Sequence, residues 1–165
     1  IEYRYSAHPY TYYQRARILK ELRQEKVIGE KYNDLIKSNY ERCLMMLDTP
    51  SFEQIKSTKT YPSVLWIFAQ FLLSIEEIDE ASHYAHLSVQ NFDNLEISSE
   101  ERYDAFAIYG VAEAKLFPTE WDTSHLKNAR EAYDKLKDTK KKNRLLDQHI
   151  ELLKSEIAKY YLIKI

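Results

Sequence analysis

Residues 61–92 read YPSVLWIFAQFLLSIEEIDEASHYAHLSVQNF and carry the strongest structural signal in the chain. The first part, residues 63–75, is apolar on nearly every side, which is typical of a helix buried between neighbours. The second part, residues 78–92, carries mostly small residues at three- and four-residue spacing. These residues are Ile78, Ala81, Ala85, Ser88 and Phe92. We therefore predict two helices that fold back on each other as a hairpin.

The composition of the whole chain favours an all-α fold. The sequence has 165 residues, with 44% hydrophobic and 30% charged residues, which is ordinary for one globular domain. It contains only two glycines and four prolines, so the tight turns that a hairpin-rich β fold needs are scarce. We predict a single all-α domain over residues 1–165.

Apolar residues at helical spacing continue along the rest of the chain. They predict further helical hairpins at residues 12–47 and 98–137 beside the one at residues 62–92. Residues 1–11 are predicted to be a non-helical arm, because Pro9 disfavours helical backbone at the residue before it. Pro118 is predicted to end the helix before it, and residues 140–163 to form a C-terminal helix.

The order of bulky and small residues over residues 62–137 resembles the tetratricopeptide family of helical-hairpin repeats. The matching positions are Leu65, Phe68, Ala69, Leu72, Ala81, Ala85, Ser88, Ala129, Tyr133 and Leu136. The match is degenerate. The spacing from Ala81 to Ala129 exceeds the regular repeat of about 34 residues. Glu113 stands where the family has a bulky residue, and the Trp-x-x-Leu-Gly signature is not intact. An irregular helical bundle is the alternative to a short stacked α-solenoid.

The resemblance implies a groove lined by the first helix of each hairpin. Its residues would be Trp66, Ile67, Gln70 and Leu73 from one hairpin and Asp104, Ile108 and Val111 from the next. Such a groove, mainly apolar with an aromatic anchor, suits an amphipathic helix or an extended peptide. The Lys and Asn residues with which some members clamp a terminal carboxylate are missing from these positions, which argues against a chaperone co-factor.

The resulting prediction is a protein- or peptide-binding scaffold, an adaptor or a regulatory module, with no catalysis, cofactor or metal. Its partner would be another protein or peptide, and the C-terminal helix could receive further repeats or mediate self-association. An antitoxin-type or immunity-type neutralising partner is an alternative that the sequence does not separate from an adaptor.

A second alternative is a ribonuclease that resembles the HEPN class of helical enzymes. Arg144 and His149 have the Arg-x4-His spacing of that class. Histidine would act as general acid or base, and arginine would stabilise phosphate charge. Leu145 departs from the pattern, because the residue after the arginine is commonly polar in that family.

Two other groups of reactive side chains are interpreted as structural. Glu80, His83 and His86 could share a helix face, but a carboxylate-bridged metal site needs ligands on further helices. We predict that both histidines face solvent. Cys43 lies on an apolar stripe and is predicted to be a core residue.

The charge and the apolar runs limit the partners. A formal net charge of −2 gives no bulk attraction to nucleic acid or anionic membranes. The longest apolar run is about half of what a bilayer requires. These features, with a single cysteine, predict an intracellular, cytoplasmic protein. The chain opens with Ile1, so processing and excision from a longer protein both stay open.

Overall fold

The computed structural model describes residues 8–95, 99–139 and 143–160, and these residues form eight α-helices and no strand. The helices are α1 (Pro9–Gln24), α2 (Asn33–Leu47), α3 (Glu53–Lys56), α4 (Thr60–Ser74), α5 (Ile78–Asn94), α6 (Glu101–Glu120), α7 (Thr123–Lys137) and α8 (Arg144–Ala158). Short 3₁₀ turns occupy Glu30–Tyr32 and Pro50–Phe52. The predicted all-α fold is confirmed. The predictions for residues 1–7, 98, 140–142 and 161–163 lie outside the described residues.

The contacts divide the chain into two compact units, Ile1–Val64 and Leu65–Ile165, with the boundary inside α4. In the first unit α1 packs against α2. Its core includes Ile36 and Tyr40, both fully buried, and the Tyr40 ring meets the Tyr13 ring edge-on at 6.3 Å. Asp48, just after α2, accepts hydrogen bonds from Lys56 Nζ at 2.7 Å and Tyr61 Oη at 3.1 Å. These bonds connect the end of α2 to α3 and to the start of α4.

In the second unit α6 is the central helix. It packs against α5, α7 and α8, and α7 also packs against α8. One cluster of buried side chains from α4 to α8 joins these helices. Its members include Trp66, Ala85, Val111, Ala132, Leu146 and Leu153. Small residues on α5, α6 and α7 allow the helices to approach closely, as the sequence pattern predicted.

Gly110 lies at the tightest of these approaches. A β-carbon there would lie 2.9 Å from Ala132 Cβ of α7 and 2.9 Å from Leu153 Cδ2 of α8. Glycine in a helix interior costs about 1 kcal/mol against alanine. Close packing of two neighbouring helices explains why α6 carries it.

Several helix ends differ from the sequence predictions, among them the starts of α1 and α4 and the end of α6. α1 begins at Pro9, three residues earlier than predicted, because Pro9 suits the first helical turn and His8 Nδ1 accepts a hydrogen bond from Tyr10 N. α6 continues past Pro118 to Glu120. Pro118 lies in the last turn of α6, so the hydrogen bond and the space that a proline costs are lost close to the helix end. The helix closes at Trp121, whose φ is 54° and whose amide donates to Phe117 O at 2.7 Å.

Side-chain caps fix the starts of the last two helices. Asp122 accepts from Ser124 N at 2.8 Å at the start of α7, and Asn143 accepts from Leu146 N at 2.9 Å at the start of α8. Within the described residues, no helix combines the length and the apolar character needed to cross a bilayer.

Candidate functional site: the groove between α4 and α6

The seven residues of the predicted groove all lie in the second unit, on α4 and α6. Four of them are buried: Trp66, Asp104, Ile108 and Val111. The other three, Ile67, Gln70 and Leu73, are partly buried. Trp66 is 6% exposed, and its indole Nε1 donates to Glu101 Oε2 at 3.3 Å. Four of the seven groove residues are therefore covered, and α8 contacts the groove at Gln70 and Asp104 through His149.

His149 of α8 connects the two helices of the groove. Gln70 Nε2 on α4 lies 3.0 Å from His149 Nε2, and His149 Nδ1 lies 3.2 Å from Asp104 Oδ1 on α6. A neutral imidazole satisfies both contacts, because the Gln70 amide donates to Nε2 and Nδ1–H donates to the carboxylate. His149 and Asp104 are 7% and 4% exposed. Buried polar groups are expensive unless they are paired, so this arrangement fixes where α8 lies.

The apolar side of α8 surrounds His149. Leu146, Ile150 and Leu153 are buried and belong to the same cluster as Ile108 and Val111 of α6. Their spacing of three and four residues places them on one face of the helix. α8 is thus an amphipathic helix that lies against the face of α4 and α6 to which the resemblance assigns ligand binding.

The contact between α4 and α8 departs from a linear repeat array. In such an array each repeat touches only its neighbours. If α4 and α5 form one hairpin and α6 and α7 the next, α8 would open a third repeat. The bond between Gln70 and His149 joins the first and third of these. The second unit is therefore more closed than an open solenoid around this groove.

A second polar cluster lies between α5, α6 and α7, centred on Glu113. The Glu113 carboxylate is 4% exposed and accepts from Ser82 Oγ at 2.6 Å and from Asn128 Nδ2 at 2.7 Å. Its Oε2 also lies 3.0 Å from His125 Nδ1, while His125 Nε2 lies 2.9 Å from Glu120 Oε2. Sequence reasoning noted Glu113 only as a departure from the repeat pattern. The signal in the sequence was a charged residue on a helix face that is otherwise predicted to be buried. A buried carboxylate needs hydrogen-bond donors around it, so such a residue indicates a polar cluster.

His125 lies between two carboxylates of this cluster, and they change the pKa of its imidazole. Its burial by itself would lower the pKa of the imidazole, because burial disfavours the charged form. Hydrogen bonds to Glu120 and Glu113, together with the charges of both carboxylates, outweigh burial and raise the pKa of His125 above its ordinary value of 6.5. The protonated imidazole is therefore stabilised between the two carboxylates.

The Arg144–His149 pair of the ribonuclease alternative is not assembled into an open site. Arg144 is the exposed first residue of α8, whereas His149 is buried with both ring nitrogens in contact with polar partners. Five residues along a helix also turn the two side chains about 140° apart. An acid–base histidine must reach its substrate, and this one is covered by α4 and α6.

The remaining candidates behave as structural residues. His83 and His86 are exposed, which confirms that prediction, and the described residues hold no group of three side chains that could bind a metal ion. Cys43 is 1% exposed, which confirms it as a core residue. Burial raises the pKa of its thiol to about 12, so the nucleophilic thiolate is scarce at neutral pH.

The described residues thus define an all-α protein with one helix-filled groove and two buried polar clusters. Comparison of the chain with family models, curated proteins and solved structures finds no match. The tetratricopeptide resemblance therefore remains a proposal.

Proposed function

We propose that the protein is a binding scaffold, an adaptor or a regulatory module that recognises an amphipathic helix of a partner protein or peptide in the groove between α4 and α6. No catalytic step is part of this function. One observation carries the proposal: α8 already lies against the groove as an amphipathic helix, with its apolar side buried and its central polar residue paired.

The contacts of α8 specify the ligand that the groove favours. Leu146, Ile150 and Leu153 occupy the apolar part of the interface, at the spacing with which helical ligands fill grooves. His149 forms hydrogen bonds with Gln70 and Asp104. A ligand that replaces it needs a side chain that can form hydrogen bonds with both. The partner helix would carry three apolar residues at this spacing, with a residue that both donates and accepts hydrogen bonds beside the middle one.

Binding requires that the partner helix replace α8. α8 is part of the same chain, so it is present at the groove at a high effective concentration. A partner helix must therefore bind tightly enough to displace it, and the strength of the α8 interface sets that minimum affinity. Such competition is a regulatory property, and it is compatible with both an adaptor and a regulatory module.

The experiment is affinity capture of a partner from cells that make the protein, followed by competition. The partner should be released by a synthetic peptide of residues 143–160, and a peptide with serine at positions 146, 150 and 153 should leave it bound. Gln70→Lys, which places a long cationic side chain where the polar contact forms, should reduce capture.

Ser74→Lys is the matched control, because it adds the same charge at an exposed position one turn further along α4. Circular dichroism and thermal unfolding are used to check that both variants are folded. A partner that Gln70→Lys and Ser74→Lys capture equally, or that the peptide fails to release, would refute recognition through this groove.

A further inference from the structure

We propose that the first unit contains a second binding site, for a small amphipathic molecule with an apolar body and one anionic group. The site is a cavity of about 640 Å³ between α1, the end of α2, α3 and the start of α4. Every residue that lines it belongs to the unit Ile1–Val64. The α4–α6 groove lies in the other unit, so this site is independent of the proposed function.

The floor of the cavity is apolar and closed. Leu47, Cys43 and Val64 lie at its base and are only 1–3% exposed, so other side chains already cover most of their surface. Tyr13 and Ile55, both partly buried, extend the apolar lining. The pKa of the Cys43 thiol, raised to about 12 by burial, agrees with a poorly hydrated floor. The partly exposed faces of Tyr13 and Ile55 gain free energy when an apolar group displaces water from them.

The size of the cavity suits a small molecule. Ligand pockets in proteins are clefts of about 300–1,000 Å³ with a mainly apolar lining and a few polar groups. The volume of this cavity, about 640 Å³, lies within the range of ligand pockets. It is far larger than a packing defect that holds one or two waters. The apolar body of the ligand would lie against Tyr13 and Ile55, above the covered side chains of Leu47, Cys43 and Val64.

Most polar groups of the cavity lie on exposed lining residues, and they determine which charge the ligand can carry. Lys59 and Gln54 are exposed lining residues that carry N–H donors. The hydroxyls of Thr58 and Ser63 donate to Ile55 O and Lys59 O at 2.7 Å, so they are directed at the backbone. Among the described residues that line the cavity, none carries a carboxylate. A carboxylate or similar anion beside Lys59 therefore fits better than a cation.

The test uses decanoate and decylammonium, which share an apolar chain and differ in the sign of the head group. Binding to the purified full chain is measured by isothermal titration calorimetry below the micelle concentration of each. Decanoate should bind saturably with one site and more tightly than decylammonium. Lys59→Glu should weaken decanoate binding by up to about fivefold, the range of an exposed ion pair, and should reduce or reverse the preference.

Two further variants make the result specific to the cavity. Ser63→Trp, which places a bulky side chain into the space beside Val64, should abolish binding in a folded protein. Lys31→Glu, which makes the same charge change at an exposed residue of this unit that does not line the cavity, should leave binding unchanged. Equal binding of the two probes, or decanoate binding that survives Ser63→Trp, would overturn the proposal. Binding that appears only after deletion of residues 1–7 would also overturn it, because the occupant would then be the chain's own amino-terminal segment.

Discussion

His149 is the residue on which the position of α8 depends most directly. Replacing it with alanine removes the donor to Asp104 and the acceptor for Gln70, and leaves a buried carboxylate without that partner. We expect His149→Ala to lower the free energy of unfolding by about 1–3 kcal/mol, the cost of an unsatisfied buried polar group. Urea unfolding followed by circular dichroism measures it.

Gln148→Ala is the control for this variant, because Gln148 is the exposed neighbour on the same helix and should change stability by no more than about 0.5 kcal/mol. Equal losses in the two variants would contradict the role of His149. The same protein tests the ribonuclease alternative, since RNA cleavage that is present in the wild type and absent from folded His149→Ala would support that enzyme class.

His125 predicts a pH dependence of stability. Its pKa is raised in the folded protein, where contacts with Glu120 and Glu113 outweigh burial. The folded state therefore binds the proton more tightly than the unfolded state. This contribution is fully present below the unfolded pKa of about 6.5 and is lost as the pH rises through the higher folded pKa.

We expect His125→Gln to remove the part of the stability loss that occurs above pH 6.5, because glutamine does not titrate. Thermal unfolding between pH 5 and about pH 8.5 gives the comparison. His83→Gln, at an exposed histidine of α5, should keep the wild-type profile. Parallel profiles for the wild type and His125→Gln would show that His125 does not cause the pH dependence.

The packing of α6 against its neighbours is sensitive to a single methyl group at Gly110. Gly110→Ala gains helix propensity of about 1 kcal/mol, but its β-carbon would lie 2.9 Å from Ala132 Cβ. That atom is attached to the backbone of α7 and cannot rotate away. Overpacking of a tight interface costs about 1–3 kcal/mol, so we expect a net loss of stability.

Thermal and urea unfolding test this expectation, with Gly29→Ala as the matched control. A β-carbon at Gly29 would meet no atom within 4 Å, and the backbone there is extended, so stability should stay within about 0.5 kcal/mol. A Gly110→Ala protein as stable as the wild type would mean that α7 and α8 move apart at little cost.

The helices themselves could largely be predicted from the sequence, whereas their mutual contacts could not. The helix predicted over residues 78–92 agrees with α5 to within two residues at each end, because its apolar stripe is a local signal. α1 and α6 were cut short at prolines, which local rules treat as breakers. The contact of Gln70 with His149 joins residues far apart in the sequence, and periodicity shows only that each helix has a buried face, not which helix covers it.

For the molecule as a whole, the sequence pattern led us to expect one domain of stacked hairpins, while the contacts group the chain into two compact units. The predicted groove residues were assigned from a family in which the groove is open. Burial of Ile108 and Val111 in one cluster with Leu146 and Leu153 means that this chain supplies its own helix to that face.

The strongest test of that arrangement is to separate α8 from the rest of the chain. A protein of residues 1–139 would lack Leu146, Ile150 and Leu153 and would expose apolar residues of the cluster to which they belong. We expect a lower melting temperature and increased binding of an apolar dye.

Adding the peptide of residues 143–160 in trans should restore both properties, because ligand binding to the folded state raises its stability by mass action. A peptide with Leu153 replaced by serine should restore little, since it lacks the side chain that contacts Gly110. If the shortened protein is as stable as the full chain, or if both peptides act alike, α8 is not a specific occupant of the groove, and recognition of a partner helix there loses its structural basis.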